Sequence, residues 1–540
     1  MSAPPAIGMR EKAGGIGALA FLALLAGGAL VALLAEAARS GGVTALAFDG
    51  WVWRAARFTL WQAVLSTVLS VLPAIAVARA LFAMAGTPAR RLILQLFAVP
   101  WALPAIVAAL GVLTLYGRAG WLAPLLGSLA GSPWGGIFGL PGILVAHVFF
   151  NMPLAVRLLL EALDAVPGDR WRLAAQLGMG PAATFRLIEW PAMRAALPGT
   201  AGLVFMLCVT SFTVVLTLGG GPAASTLEVA IYQALRFDFD PALAVTLTMV
   251  QLGLTLAIVL LMNHFGGAAS GETNLTLSPG ARFLTRTTGD RIAGLVTLSL
   301  AAAFVLAPLA AILVSGLKSD LSRLAGEGQV QRATLASLAL AALAAALATA
   351  LSFALIRLRQ LLEAGRRAAA PGWLEWWAGH GASLILVVPP VVIGAGWFIA
   401  LRHAGDVFAF APVMVVTVNA AMAMPFAIRL LRPAHDMAAL RHDRLAANLG
   451  MSGIARFRLV DWPALRAPML AAFAFSMALS LGDLGVIALF GSDRVQTLPW
   501  LLLSRMGSYR TADAAGLALW LAILTLALMM VVSRLSRRTP

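Results

Sequence analysis

Charge is the scarcest property of this 540-residue chain. Only 11% of its residues are Asp, Glu, Lys or Arg, against about 25% in a soluble domain. Apolar residues make up 61%, and the mean hydropathy is +0.90. So little charge cannot cover a water-facing surface, and lipid is left as the solvent for most of the chain. Lysine is nearly missing: there are two, Lys12 and Lys318, and the other 37 of 39 basic residues are arginine. Neither lysine follows a glycine, so the G-x-x-x-x-G-K-[ST] loop that cradles phosphates is not present. A single cysteine, Cys208, excludes an intramolecular disulfide and leaves no thiolate set for a metal. It lies in an apolar run, where it reads as a small packing residue. No His, Cys, Asp or Ser cluster with metal or nucleophile spacing occurs in the apolar runs, which argues against an embedded enzyme.

What is present is a series of long apolar runs. Twelve are long enough to cross a bilayer as helices: 14–35, 58–81, 92–115, 141–160, 197–218, 242–263, 292–315, 333–356, 381–401, 411–431, 468–490 and 514–533. The expectation is an all-α integral membrane protein. Arg10 and Lys12 ahead of the apolar stretch Ile16–Leu34 resemble a secretory signal, but 19 apolar residues favour an uncleaved first span. The net charge is +16. No basic cluster comes with a soluble domain to hold it, so nucleic acid is not the expected partner. With the N-terminus inside, the cytoplasmic segments hold 26 Arg and Lys and the outer loops 12, with the boundary residue Arg79 left out. That bias places both termini in the cytoplasm.

The chain also repeats itself. RLAAQLGMGPAATFRLIEWPAMRA (172–195) aligns without a gap with RLAANLGMSGIARFRLVDWPALRA (444–467), 272 positions on, with 16 of 24 residues identical. Six spans precede the end of each copy's half, so the two halves run parallel, related by an axis along the membrane normal. The expected division is a first repeat at 1–263, a Gly/Ser/Thr-rich cytoplasmic linker at 264–291 and a second repeat at 292–540. The polar loops at 161–196 and 432–467 fall on the cytoplasmic face.

Each loop reads as a helical knob. Pro167-Gly168 and Asp169 suit the start of a short helix ending at Leu177, and Gly178 suits a left-handed cap. A second helix is expected from Pro181 to about Trp190, interrupted at Pro191. In the second copy Ser452 is the expected cap of that helix, and Gly450 matches Gly178. Arg186 with Glu189, and Arg458 with Asp461, stand three apart and are expected to pair. Leu173, Ala174 and Leu177 are expected on one side of the first helix. The loops could be amphipathic linkers lying on the membrane or knobs that seat in a partner's groove. Close retention of the duplicate, while the flanking spans diverge, favours the knobs.

At these residues the chain resembles the permeases of ABC importers. Gly178 followed by Ile188-Glu189-Trp190-Pro191, and Gly450 followed by Val460-Asp461-Trp462-Pro463, resemble that family's cytoplasmic coupling (EAA) loop. The usual Glu-Ala-Ala opening is replaced by Arg172-Leu173-Ala174 and Arg444-Leu445-Ala446. HVFFNMPLAVRLLLEAL (147–163), TLGGGPAASTLEVAIYQAL (217–235), LSLGDLGVIALFG (479–491) and MGSYRTADAA (506–515) resemble the thiamine and thiamine-phosphate permeases within it. The resemblance implies a type I importer permease (MetI-like) fold, with two parallel six-helix repeats in the bacterial inner membrane. It implies no cofactor bound by this chain, ATP and Mg used by a partner ATPase in two copies, and a periplasmic thiamine-binding protein. The implied ATPase-coupling residues are Arg172, Leu173, Ala174, Leu177, Gly178 and Pro191, with Arg444, Leu445, Ala446, Leu449, Gly450 and Pro463. Ferric-iron permeases share the fused layout and stand as the alternative, followed by a gradient-driven transporter.

A gradient-driven transporter would need ionisable groups inside the spans. Asp483 and His147 are the candidates, with Ser211 and Asn419 at the equivalent positions 272 away. Ser211 and Asp483 are candidate translocation-path residues, and Asp483 could equally be a helix-end polar contact. His147, Asn151 and Asn419 read as interhelical hydrogen-bonding groups. Trp51, Trp53, Trp121, Trp134, Trp373, Trp376 and Trp377 read as headgroup-level anchors.

Overall fold

The computed structural model describes residues 9–40, 50–265, 287–365, 372–403, 405–451, 453–492, 495–508 and 510–536. Most of the expected linker and the expected cap Ser452 lie outside them. The described chain is helical, with one isolated bridge between Ser492 and Val495. Among the described residues, ten helices are long and apolar enough to cross a membrane, or twelve if each of two bent pairs is one span.

The bent pairs correct two expected straight spans. The runs at 92–115 and 381–401 are each broken, into Pro88–Ala102 with Ala105–Tyr116 at 109° and Trp373–Val387 with Pro390–Leu401 at 85°. The cause is local. A residue before proline is pushed out of the helical region, and Leu103 (ψ 137°) and Val388 (ψ 112°) are both extended. The prolines that follow then start the next segment: Pro104 O accepts from Val107 and Ala108, and Pro389 O from Val392 and Ile393. The runs at 197–218 and 468–490 are also interrupted. Their helices end at Val209 and Leu481 and resume at Thr213 and Gly485.

The helices form two compact units, and these are not the two linear repeats. One unit holds residues 48–230 and 250–318; the other holds the first helix, 231–249 and the chain from 319 onward. Each repeat's first span therefore packs with the helices of the other repeat. In the first unit, the helix Thr288–Lys318 lies against Ala105–Tyr116. A Cβ on Gly111 would meet Ile312 Cδ1 at 2.7 Å and Pro308 O at 2.9 Å. In the second, Met9–Ser40 lies against Pro390–Leu401, where a Cβ on Gly396 would meet Ala29 O at 2.4 Å. Trp397 Nε1 donates to Leu25 O at 2.9 Å, and Arg402 pairs with Glu36 at 2.6 Å. Absent side chains let helix backbones approach closely, which is how membrane helices gain packing where no hydrophobic drive exists.

Candidate functional site

The two duplicated loops build the same corner. In the first, the helix Gly168–Gln176 begins after Pro167 and carries Asp169 in its first turn. It closes on Gly178 at φ +63°, with Met179 N–H bonding Ala174 O at 3.0 Å and Gly178 N–H bonding Ala175 O at 3.1 Å. Those two bonds form a Schellman cap. In the second loop Gly450 has φ +65° and Met451 N–H bonds Ala446 O at 2.9 Å. A Cβ on either glycine would meet nothing within 4 Å, so the glycines serve the left-handed backbone and not a tight contact.

The lead-in differs between copies. Pro167-Gly168 separates the first knob from the helix Leu140–Asp164. The equivalent residues are Ala439-Leu440, and there the helix Ala411–Asn448 runs unbroken into the second knob. Good helix formers have replaced two helix breakers.

Both knobs present leucine outward. Leu173, Leu177 and Leu187, and their counterparts Leu445, Leu449 and Leu459, are 55–68% exposed. Ala174 and Ala446 do not share that side: both are buried, because they sit on the helix face turned to the protein. Arg172 is exposed beside Asp169 at 3.3 Å. The side chain of Arg444 lies outside the described residues. Pro191 and Pro463 are exposed.

The prolines do not interrupt the second helix, contrary to the sequence expectation. Pro181–Val209 is one helical rod, carried past Pro191 by a π turn at Phe185–Glu189 in which Trp190 N–H reaches back to Phe185 O. Phe457–Asp461 repeats this before Pro463, with Trp462 N–H bonding Phe457 O. The extra residue in the turn shifts the hydrogen-bond register where a proline's missing N–H would break an α-helix. The π turn also rotates the acids inward, which overturns the expected pairs. Glu189 is buried and pairs with Arg79 at 2.5 Å, and Asp461 is buried 3.6 Å from Arg456. Arg186 and Arg458 are exposed.

Different chemistry anchors the two knobs. Trp171 is buried against Phe82, ring centroids 4.9 Å apart, and Arg79 lies over the Phe185 ring at 4.2 Å. At the position equivalent to Trp171 stands Asp443, which accepts from Arg456 and Gln360. Sequence reading missed Trp171 and Arg79. Trp171 had no counterpart to mark it, and Arg79 fell on a span boundary. Leu187 and Leu459 were within the duplicated string but outside its first helix.

The helix Gly50–Ala83, whose end holds Arg79 and Phe82 against the first knob, also carries a buried polar stripe. Thr59, Gln62, Ser66 and Ser70 follow helical spacing along Gly50–Ala83 and are all buried. That spacing was visible in the sequence. Ser66 Oγ meets His147 Nδ1 at 2.9 Å, and His147 Nε2 meets Ser211 Oγ at 2.8 Å. Gln62 donates to Cys208 O at 2.8 Å, and Asn151 to Cys208 Sγ at 3.2 Å. His147 and Asn151 thus act as interhelical links, and Cys208 accepts as well as packs. Gly50-x-Val52-x-Arg54-Ala55 aligns the stripe helix with Gly328-x-Val330-x-Arg332-Ala333. Thr59 matches Ser337 in this register, and each hydroxyl accepts from the first amide of a later helix: Leu227 N at 3.0 Å and Leu498 N at 2.7 Å. The other stripe positions become Leu340, Ala344 and Ala348, so only one unit is polar there.

The equivalent break in the other unit holds Asp483. Gly485 N–H donates to its Oδ1 at 3.2 Å, and Asn419 donates to nearby Ser480 Oγ at 2.9 Å. Ser211 and Asp483 therefore hold matching places in separate units.

Comparison with known proteins places these features in a family. Residues 364–539 match the family described as binding-protein-dependent transport system inner membrane component. The chain is similar to the thiamine transport system permease protein ThiP of Brucella abortus (strain 2308), 59% identical over 97% of this chain and 95% of that protein. It is 42% identical to the Escherichia coli (strain K12) protein of the same description, over 91% and 90%. For the Haemophilus influenzae protein of that description the identity is 38%, over 95% and 94%.

Proposed function

The chain belongs to the family of thiamine transport permeases, and on that premise we propose that it carries thiamine and its phosphates across the bacterial inner membrane. It does so as the membrane-spanning subunit of an ATP-driven importer. The permease makes and breaks no covalent bond. An ATPase pair on the cytoplasmic side hydrolyses ATP, and a periplasmic thiamine-binding protein delivers the cargo. Both termini lie in the cytoplasm, as the arginine bias favours.

The observation that supports energy entry at the knobs is their matched apolar exposure. Six leucines stand outward on two corners, each closed by a left-handed glycine. A leucine left in water forgoes about 1.5–3 kcal/mol relative to burial, and a partner groove recovers it. One ATPase subunit seats each knob, and closure of the pair on ATP moves both knobs together. The halves then alternate between outward and inward access.

The test is co-purification of the ATPase with the permease. Leu177→Asp and Leu449→Asp each place a charge in the seat and are expected to weaken the complex by about tenfold or more, and together to abolish it. Leu129→Asp, on an exposed leucine far from the knobs in sequence, is the control and leaves co-purification intact. Full co-purification of the double variant would sink the docking role.

A further inference from the structure

A carboxylate is not what makes the helix break at Asp483. The same helix break forms in the other unit around Ser211, a neutral residue bonded to His147. Yet Asp483 brings a carboxylate among apolar helices, where an ionisable group is costly and marks a substrate or ion path more often than a structural contact. Its surroundings do not cancel it. The groups acting on it are the Gly485 and Val486 amides and the Asn419 side chain; no basic side chain is among them. Its Oδ2 is buried and has no hydrogen-bond partner among the described residues.

We propose that Asp483 is the transient counter-ion of the cargo's quaternary thiazolium ring. The inference rests on the thiamine reading above. A quaternary ring nitrogen carries a permanent positive charge and no N–H. It is met by an open carboxylate oxygen, not by an oriented acceptor with a fixed donor. The groups acting on it, the Gly485 and Val486 amides and the Asn419 side chain, are dipoles. They hold the carboxylate in place without a cation that would compete with the cargo.

The experiment uses the intact permease with its ATPase and binding protein in proteoliposomes. Uptake is measured for radiolabelled thiamine and for its neutral thiophene isostere, in the unmodified protein, Asp483→Asn and Asp483→Glu. The same binding protein delivers both probes, so its preference cancels in each variant-to-unmodified ratio. Asp483→Asn is expected to slow thiamine uptake by about tenfold, the factor that about 1.4 kcal/mol supplies, with isostere uptake little changed. Asp483→Glu is expected to keep the preference for the cation. ATP hydrolysis stimulated by the loaded binding protein reports assembly and is expected to persist in both variants. Equal losses for the two probes, loss of stimulated hydrolysis in both variants, or no loss at all would overturn the inference. Failure of the unmodified complex to import thiamine would sink the cargo reading, and this inference with it.

Discussion

Gly178 and Gly450 hold the knobs by backbone conformation alone. Both are left-handed, and neither has an atom near where a Cβ would go. Alanine there carries the left-handed penalty of about 1–2 kcal/mol with no clash added. Gly178→Ala and Gly450→Ala are each expected to loosen one knob and lower ATPase co-purification, while Gly199→Ala serves as control. Gly199 lies inside the helix Trp190–Val209 with equal space around it, so alanine there is neutral or slightly stabilising. If all three behave alike, the cap is not what orders the knob. These glycines were legible because a helix-ending glycine has one dominant use. The acids beside them were not. The spacing of Arg186 and Glu189 suggests a surface pair only if the helix keeps its 3.6-residue period, and the π turn at 185–189 does not. Glu189 turns to Arg79, 110 residues away, a contact that no local spacing records.

At the scale of the element, the knobs share a shape and differ in what fixes them. Beside its Arg79–Glu189 pair the first knob has the buried ring of Trp171 against Phe82, where the second has a further ion pair, Asp443 with Arg456. Apolar anchoring is insensitive to ionic strength, whereas partly exposed ion pairs are screened by salt. Cys208 is buried, so Leu177→Cys or Leu449→Cys gives a single accessible thiol. Raising salt is expected to speed maleimide labelling at 449 more than at 177. Trp171→Ala, at a cost of about 3–5 kcal/mol for losing a buried aromatic, is expected to speed labelling at 177 alone. Equal salt effects at both positions would contradict the division of anchors. The apolar runs gave the spans because composition alone sets them. Their bends escaped because they depend on where a single proline falls: Pro104 and Pro389 each turn the chain sharply inside a run that reads as continuous.

For the whole molecule, the duplication divides the sequence in one place and the packing divides it in another. A linear reading assigns the helix Met9–Ser40 to the first repeat and Thr288–Lys318 to the second. Each packs instead with the helices of the other repeat. The seams are the side-chain-free approaches at Gly396 and Gly111, where a Cβ would fall within 3 Å of the incoming helix. Filling either seam forces overpacking at about 1–3 kcal/mol, and the strain must appear in whichever helix is seated there. Gly396→Val is therefore expected to raise hydrogen exchange across Met9–Ser40, hundreds of residues earlier in the chain. Gly111→Val is expected to raise it across Thr288–Lys318. Each variant leaves the other's target protected. If the repeats packed as they are written, Gly396→Val would instead loosen Thr288–Lys318, and Gly111→Val would loosen Met9–Ser40. The exchange has a functional consequence that the duplication alone does not carry. A knob that moves its own unit also moves a span belonging by sequence to the other repeat.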